Sequence, residues 1–367
     1  MIGHAFMGRA HSNAIRQVNH FFDLPLAVVP RVVVGRDAGR VEAAREKLGF
    51  EESSADLDEV LARDDIHVVD IATPNDSHHD LAMAALRAGK HVLCEKPLAM
   101  NLREAKALVR EAKRRKVTVG LWHNYRRCPA ASLAKRMIDR GDIGEVRQVR
   151  AVYLQDWMSD TSTPASWRTD AKVCGSGAHG DLNAHLIDMS MFLTGLQFSE
   201  VCAVGQTFTK LRKNAAGKRT RVTVDDALAF LARFKNGAIG TFEATRVAPG
   251  RKNYNQIEVN GTKGTIVWNF ERMNELEFFS FEDAGDAQGF RTIMCMDAAH
   301  PYAGNWWPDG HIIGYEHTFV HHLADFVEAV ASRKAFSPNF EDGARIQAVL
   351  DAALKSSSTN KWATVPS

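Results

Sequence analysis

His91-Val92-Leu93-Cys94-Glu95-Lys96-Pro97-Leu98 runs three apolar residues straight into an acid, a lysine and a proline. A short apolar run of this kind predicts a buried strand of a parallel sheet. Charge at its C-terminal end does not belong in a core. It does belong in a site, because open α/β sheets bind ligands just beyond the carboxyl ends of their strands. Proline then stops the strand and pins the turn. Lys96 is therefore the first candidate for a group that touches a ligand.

The same rhythm repeats on both sides. Residues 26–34, 67–71 and 117–122 are strand-like, and 40–48, 76–88 and 102–115 carry helical patterns. Alternation of this length predicts parallel strands joined by right-handed crossover helices. Gly89-Lys90 is a helix stop, with glycine supplying the left-handed position. The basic run Lys113-Arg114-Arg115-Lys116 ends a predicted helix, where cations meet the helix dipole favourably.

The chain opens on Met1-Ile2 and turns at once into Gly3-His4-Ala5-Phe6-Met7-Gly8, with a helical stretch at 9–20. Gly3, Ala5 and Gly8 have the G-x-G/A-x-x-G spacing of a turn that lets backbone N–H groups reach a pyrophosphate at a helix N-terminus. Alone, the motif fits an ordinary turn equally well. Almost no strand precedes it, so either the first strand is cut short or the coding start lies upstream. After the second strand comes Val34-Gly35-Arg36-Asp37. Arginine there suits a 2′-phosphate, Asp37 suits a ribose hydroxyl, and Asp37 is equally an N-cap for the next helix. NAD and NADP both stay open. Thr73-Pro74-Asn75, with His78 after it, lies at the ligand-binding edge of the third strand, where turn chemistry and a cofactor role are balanced.

At 367 residues the chain suggests two domains, divided into 1–122 and 123–367. Its 45% hydrophobic and 25% charged content is that of a globular protein, and a nearly balanced net charge of +2 argues neither for nucleic acid nor for an acidic membrane surface, so neither is expected as a partner. Five scattered cysteines without a CxxC pair point to a reducing cytoplasm. Neither a signal peptide nor a membrane span is expected.

From Asp142 the character changes. Residues 145–157, 200–208, 220–234, 237–247, 255–259, 265–270 and 276–281 are strand-like, several with period-two alternation, and short turns link them. This predicts an antiparallel sheet flanked by helices at 131–139, 179–193, 316–331 and 342–354. The fold class is thus a doubly wound α/β nucleotide-binding domain followed by an α+β domain with an open, mainly antiparallel sheet.

Within that second part, Gly175-Ser176-Gly177 leads into a helix on which Asp181, His185 and Asp188 fall at i, i+4 and i+7. The spacing places them on one face. Imidazole titrates near neutrality and a carboxylate can fix its tautomer, so this face suits proton transfer; a solvated helix face is the plainer reading. His179-x-Asp181-x-x-x-His185 also offers three metal ligands, but that spacing does not bring them together on a regular helix. No metal is expected.

Together these segments resemble the Gfo/Idh/MocA family of sugar and inositol oxidoreductases. The resemblance rests on Gly3-x-Ala5-x-x-Gly8, Ala72-Thr73-Pro74-Asn75-x-x-His78, Ala88 to Pro97, Asn124-Tyr125-Arg126-x-x-Pro129, Gly175-Ser176-Gly177, Asp181-x-x-x-His185-x-x-Asp188 and Asn260-Gly261-Thr262-Lys263-Gly264. It implies Lys96 and His185 as catalytic residues, with Asp181 completing the site. Gly3, Ala5, Phe6, Met7, Gly8, Gly35, Arg36, Asp37, Thr73, Pro74, Asn75, His78, Glu95, Lys96 and Pro97 would hold NAD or NADP. His123, Tyr125, Arg126, Trp157, Trp167 and Arg168 would line a carbohydrate pocket with Lys96, Asp181 and His185. A cis Lys96–Pro97 bond and a homodimer or homotetramer through the C-terminal sheet are further implications.

Three departures from the family pattern stand out: the short first strand, Gly35 where many NAD-using members carry aspartate, and polar His179 and Asn183, which predict a more polar pocket floor. Trp306, Trp307, His311 and Tyr315 are additional candidates for closing a pocket. The expected activity is hydride transfer between a nicotinamide and a secondary alcohol of a sugar, anhydrosugar or inositol. The alternatives are a glycoside-cleaving enzyme working by oxidation, elimination and cofactor recycling, and a non-catalytic cofactor-sensing regulator.

Overall fold

The structure, a computed structural model, describes residues 1–366. The chain forms two compact units. Where the sequence suggests a division after Trp122, the first unit comprises Met1–Arg127 and Gly314–Ala344, and the second comprises Cys128–Ile313 and Arg345–Ser367.

The first unit alternates as expected: α1 Phe6–Phe21, β1 Val32–Val34, α2 Ala38–Leu48, β2 Glu52–Ser54, α3 Leu57–Ala62, β3 Val68–Ile71, α4 His78–Arg87, β4 His91–Cys94, α5 Leu102–Arg115 and β5 Val119–Leu121. β1 pairs with β2, and β3–β4–β5 form a second run, all parallel. The missing first strand is reduced to Ile2, which bridges Val34 on one side and Ile71 on the other. Its N–H donates to Asp70 O at 2.7 Å and its carbonyl accepts from Ala72 N at 2.9 Å. One residue thus joins the two runs.

Strand β1 is shorter than the 26–34 expected, because Pro30 lacks the N–H a ladder needs. Helix starts follow their caps: Asp37, Asp56 and Asn101 each accept from the N–H three residues on. Val34, Val69, Ile71, Val92, Cys94 and Leu121 from the strands pack with Ala85, Leu86, Ala105 and Leu108 from the helices. Phe340 joins them. At roughly 1.5–3 kcal/mol per large apolar side chain, this burial is what holds the strand ends in place. A cleft of about 600 Å3, lined by Val29, Val32, Ile66, Val68 and Leu93, opens at the amino-terminal side of these strands. It is apolar and lies at the opposite edge from Lys96.

The second unit contains α6 Pro129–Arg140, β6 Val146–Leu154, α7 Ala171–Cys174, α8 Ala184–Thr194, β7 Phe198–Gln206, β8 Leu211–Lys213, β9 Arg219–Arg221, β10 Ala227–Phe234, β11 Ile239–Thr245, β12 Tyr254–Gly261, β13 Gly264–Asn269, β14 Glu275–Ser280, β15 Arg291–Met294 and β16 Ala363–Thr364. Nine strands form one sheet in the order β15-β14-β13-β12-β6-β11-β10-β7-β16. Every neighbouring pair is antiparallel except β6–β11, which is parallel, so the sheet is mainly antiparallel, as the sequence predicts. The single strand expected over 220–234 is broken. Asp225 and Asp226, residues disfavoured in strands, turn their carboxylates to backbone N–H groups instead.

Candidate functional site

In the first unit, Gly3 adopts φ +93°, and a Cβ there would lie 2.6 Å from the Ala72 carbonyl oxygen. A Cβ on Gly8 would lie 2.5 Å from the oxygen of Gly3. Glycine is therefore required at both ends of the turn. Ala5 is the N-cap of α1 and offers no side-chain acceptor, and the first turn carries no acid. The leading N–H groups of the helix, beside Phe6 and Met7, are left for an external anion. These features fit a dinucleotide pyrophosphate. Gly35 follows β1, and a Cβ on it would sit 3.1 Å from His4 Nε2. Arg36 and Asp37 are exposed, and Asp37 Oδ1 accepts from Arg40 N at 2.9 Å as the cap of α2. The cap reading of Asp37 is realised, and the carboxylate remains open to solvent.

Thr73 and Asn75 are half-buried at the end of β3, and Thr73 Oγ1 shares a 2.7 Å hydrogen bond with Ser77 Oγ. His78 is buried beneath this edge. Its Nδ1 lies 2.8 Å from Pro97 O and its Nε2 2.9 Å from Thr73 O. Burial lowers its pKa and the two carbonyls oppose that shift. A neutral imidazole donates to one of them at a time. His78 thus braces the Thr73 loop against the Lys96 turn.

The Lys96–Pro97 peptide is cis, as the resemblance implied. Lys96 is half-buried at the end of β4. Glu95, just before it, is buried; its Oε2 accepts from Lys96 N at 3.1 Å and its Oε1 lies 3.0 Å from His11 Nε2. His11 Nδ1 lies 3.0 Å from Asp70 Oδ2, and Trp122 Nε1 donates to Asp70 Oδ1 at 2.8 Å. Burial works against a charge on His11, but Asp70 and Glu95 outweigh it and raise the pKa to about 9. His11 is an imidazolium near neutrality.

After β5, His123, Tyr125 and Arg126 are all buried. Arg126 donates to Ser337 Oγ at 2.9 Å. Burial, with the charges of Arg126 and Lys96 adding to it, pushes His123 well below the usual histidine range, so its ring is neutral. Tyr315 stacks edge-on against Phe319.

In the second unit, the helix expected at 179–193 begins as a π-helical turn, His179–Asn183, and becomes α-helical only at α8. Such turns are rare and frequent at functional sites. Asp181 is half-exposed, whereas His185 and Asp188 are buried, so the three do not form a solvated face. Arg246, which follows β11, is buried and donates from Nη2 to Asp181 Oδ2 at 2.9 Å and from Nη1 to Arg168 O at 3.2 Å. Its guanidinium also lies 5.3 Å from the centre of the Trp157 ring. Arg168 stacks over Trp167 at 4.2 Å. Trp157, Asp181 and the Arg168 carbonyl thus meet at one buried cation, and Trp167 joins them through the Arg168 side chain. The ring of His185 lies 5.9 Å from that of Tyr153.

His179 and Asn183 correct two expectations. His179 Nε2 faces Leu350 O at 3.0 Å, its Nδ1 faces Asn183 Nδ2 at 3.0 Å, and Asn183 also donates to Leu228 O. Both are fully buried, so they serve the core and give no pocket floor. With both nitrogens of His179 occupied, the three-ligand metal set dissolves. Trp306 is buried, Trp307 half-exposed in its side chain, and His311 is exposed with Nδ1 against Pro308 O.

With this geometry in hand, comparison with known proteins is decisive. Residues 1–123 match the oxidoreductase family with an NAD-binding Rossmann fold, and residues 132–267 match the GFO/IDH/MocA C-terminal domain. A levoglucosan dehydrogenase from Pseudarthrobacter phenanthrenivorans is 40% identical over 100% of this chain and 97% of its own. The chain belongs to the Gfo/Idh/MocA family. Among solved structures, an oxidoreductase domain protein from Kribbella flavida aligns with a TM-score of 0.97 and 47% identity over 100% of this chain and 98% of its own. A levoglucosan dehydrogenase in complex with NADH and levoglucosan aligns at 0.96 and 42%, over 100% and 98%. The protein is an NAD-binding oxidoreductase with a Rossmann domain and a mixed, mostly antiparallel C-terminal sheet.

Four residues that build these contacts escaped the sequence reading: His11, Asp70, Asp225 and Arg246. His11 had a signal, falling one helical turn after Gly8 on the inner side of α1. Asp70 had one too, as an acid inside an apolar strand. Asp225 and Arg246 had none, because their partners lie 46 or more residues away in sequence.

Proposed function

We propose that this Gfo/Idh/MocA oxidoreductase oxidises, or in reverse forms, a secondary alcohol of a sugar, anhydrosugar or inositol, using NAD. The observation that carries the reading is Lys96 at the carboxyl end of β4, on the same edge of the same unit as the Gly3–Gly8 cradle. Gly3, Ala5, Phe6, Met7 and Gly8 hold the pyrophosphate, Gly35 to Asp37 the adenosine ribose, and Thr73 to Asn75 with Glu95 to Pro97 the nicotinamide side. When bound, NAD supplies the hydride acceptor. His185 takes the proton of the substrate hydroxyl, because a lysine ammonium is a poor base near neutrality. Lys96 stabilises the charge that develops on that oxygen. Asp181, held by Arg246, binds a second hydroxyl and orients the substrate, and Trp157, Trp167, Tyr125 and Arg126 line the pocket. The similarity to levoglucosan dehydrogenase over the whole chain favours a pyranose or anhydropyranose substrate.

The active species is a homodimer or homotetramer paired through the outward face of the nine-stranded sheet. Exposed Val204, Leu231 and Ile239 on that face support this. All five cysteines are free, which supports a reducing cytoplasm, and among the described residues no helix is long and apolar enough to cross a membrane.

The test is a panel of sugars, anhydrosugars including levoglucosan, inositols and other polyols, run in parallel with NAD and NADP and followed by nicotinamide absorbance. Steady accumulation of NADH with one carbohydrate class is the expected result. Release of an aglycone from glycosides without net NADH would overturn it in favour of the recycling glycosidase.

A further inference from the structure

The imidazole of His11 sits where three elements of the first unit converge. It projects from α1, the helix that follows the glycine turn, onto Asp70 of β3 and onto Glu95 at the end of β4, both at 3.0 Å. His11 has no exposed surface, and Asp70 and Glu95 are 7% and 5% exposed, so water does not substitute for either contact. Its ring is clamped flat, with Trp122 stacked at 4.3 Å and Phe319 tilted at 5.6 Å. His322 stacks on the far face of the same Trp122 at 4.7 Å. The charged or titratable groups facing His11 are Asp70, Glu95, His322 and, through Asp70, the α-ammonium of Met1.

Two carboxylates buried this deeply need a cation between them. Structure alone would be served by any arrangement that neutralised them. The arrangement present does more, because Glu95 divides its oxygens. One holds His11, and the other accepts the N–H of Lys96. The chain from α1 through His11 and Glu95 therefore ends on the peptide that carries Lys96.

We infer that His11 is a positioning residue for hydride transfer: by bridging Asp70 and Glu95 it ties the phosphate-binding helix to the Glu95–Lys96–Pro97 turn and fixes the direction of Lys96. This rests on the function proposed above. It adds that the working contact is the one to Glu95, while the contact to Asp70 serves stability.

The two contacts can be separated by amides of different length. In His11→Gln the amide nitrogen stands near the place of Nε2 and keeps Glu95. In His11→Asn it stands near the place of Nδ1 and keeps Asp70. Both variants should melt at lower temperature than the wild type. Amide hydrogen exchange over residues 95–98, measured with and without NADH, should stay within about threefold of wild type in His11→Gln and rise at least tenfold in His11→Asn, the scale of one lost buried hydrogen bond. Turnover should follow the same split, with kcat nearly kept in the first variant and reduced tenfold or more in the second.

Equal behaviour of the two variants in exchange, whether both resemble the wild type or both loosen in step with melting temperature, would overturn the assignment. If neither variant folds, Trp122→Phe decides. It removes one donor to Asp70, keeps an aromatic ring stacked on His11 and leaves Glu95 in place, so exchange over 95–98 should not change, and faster exchange would overturn the proposal. Wild-type protein that turns over no alcohol sinks the functional reading, whereas the exchange experiment still judges His11 by itself.

Discussion

Arg246 donates to Asp181 at 2.9 Å, from a side chain 3% exposed to one 28% exposed. A buried guanidinium thus holds a carboxylate at the edge of the π-helical turn that leads to His185. Arginine is suited to this because its planar fork serves two acceptors at once, here Asp181 and the carbonyl of Arg168. Arg246→Lys keeps the charge and loses the fork. It should raise KM about tenfold and lower kcat less, whereas Arg246→Met should lower kcat/KM by 10²-fold or more and cost roughly 1–3 kcal/mol in stability, the cost of an uncompensated polar partner. Steady-state kinetics with a melting curve measures both, and an unchanged KM in Arg246→Met would remove Asp181 from the substrate site.

Lys96→Ala and His185→Ala separate chemistry from binding. NADH affinity, measured by fluorescence, should remain within a few-fold of wild type in both variants. Turnover should fall by about 10²-fold or more in each, the scale for removing an electrostatic or acid–base group. A near-normal rate in either variant would strip that residue of its role.

The His11 cluster makes stability depend on pH in a direction that can be worked out. Its folded pKa of about 9 lies above the usual histidine value of 6.5, so the folded state binds the extra proton between them. The stabilisation is complete below about pH 6.5 and is lost as pH rises to about 9 and beyond. It amounts to a few kcal/mol at about 1.4 kcal/mol per unit. The melting temperature of the wild type should therefore fall from pH 6.5 to 9 more steeply than that of His11→Gln, which has no proton to lose. Parallel curves would show that His11 is neutral in the fold.

Asp37 allows cap and cofactor roles to be pulled apart. Serine is also a good N-cap, so Asp37→Ser should keep the stability of α2 while losing the ribose acceptor. The KM for NAD should rise about tenfold and discrimination against NADP should shrink. Asp37→Ala should show the same kinetics plus a loss of roughly 1 kcal/mol from the missing cap. If Asp37→Ser left the NAD/NADP ratio unchanged, the cap would be its whole function.

Much of this architecture was legible because it is written in local pattern. The apolar run ending in Glu95-Lys96-Pro97 placed a strand and a charged edge, and Gly3 and Gly8 marked a turn whose close contacts leave no room for a Cβ. What stayed hidden depends on partners distant in sequence. Ile2 works as a strand because two neighbours supply its hydrogen bonds, which a count of apolar residues cannot reveal. Periodicity places the helix over 179–193, yet the π turn at its start is held by Asp225, which no periodicity contains. Asp181, His185 and Asp188 had the spacing of one face, but the wider turn beneath Asp181 shifts its phase relative to the other two.

Gly177 and Asp225 provide the strictest test of that turn. The two oxygens of Asp225 accept from Gly177 N at 2.7 Å and from His179 N at 2.8 Å, so one carboxylate holds the start of the π segment. A Cβ on Gly177 would lie 1.8 Å from the backbone oxygen of Asp225, a clash no rotamer can relieve. Gly177→Ala must therefore move the backbone at one position or the other. It should cost more than the roughly 1–3 kcal/mol typical of overpacking and abolish turnover. Asp225→Asn is gentler: its amide oxygen can accept one of the two N–H groups, while its NH2 opposes the other. Folding should survive, NADH affinity should be unchanged because the cradle lies in the other unit, and kcat should fall about tenfold. A wild-type rate in Asp225→Asn would mean that the π turn tolerates loss of its anchor, and that His185 is positioned by α8 alone.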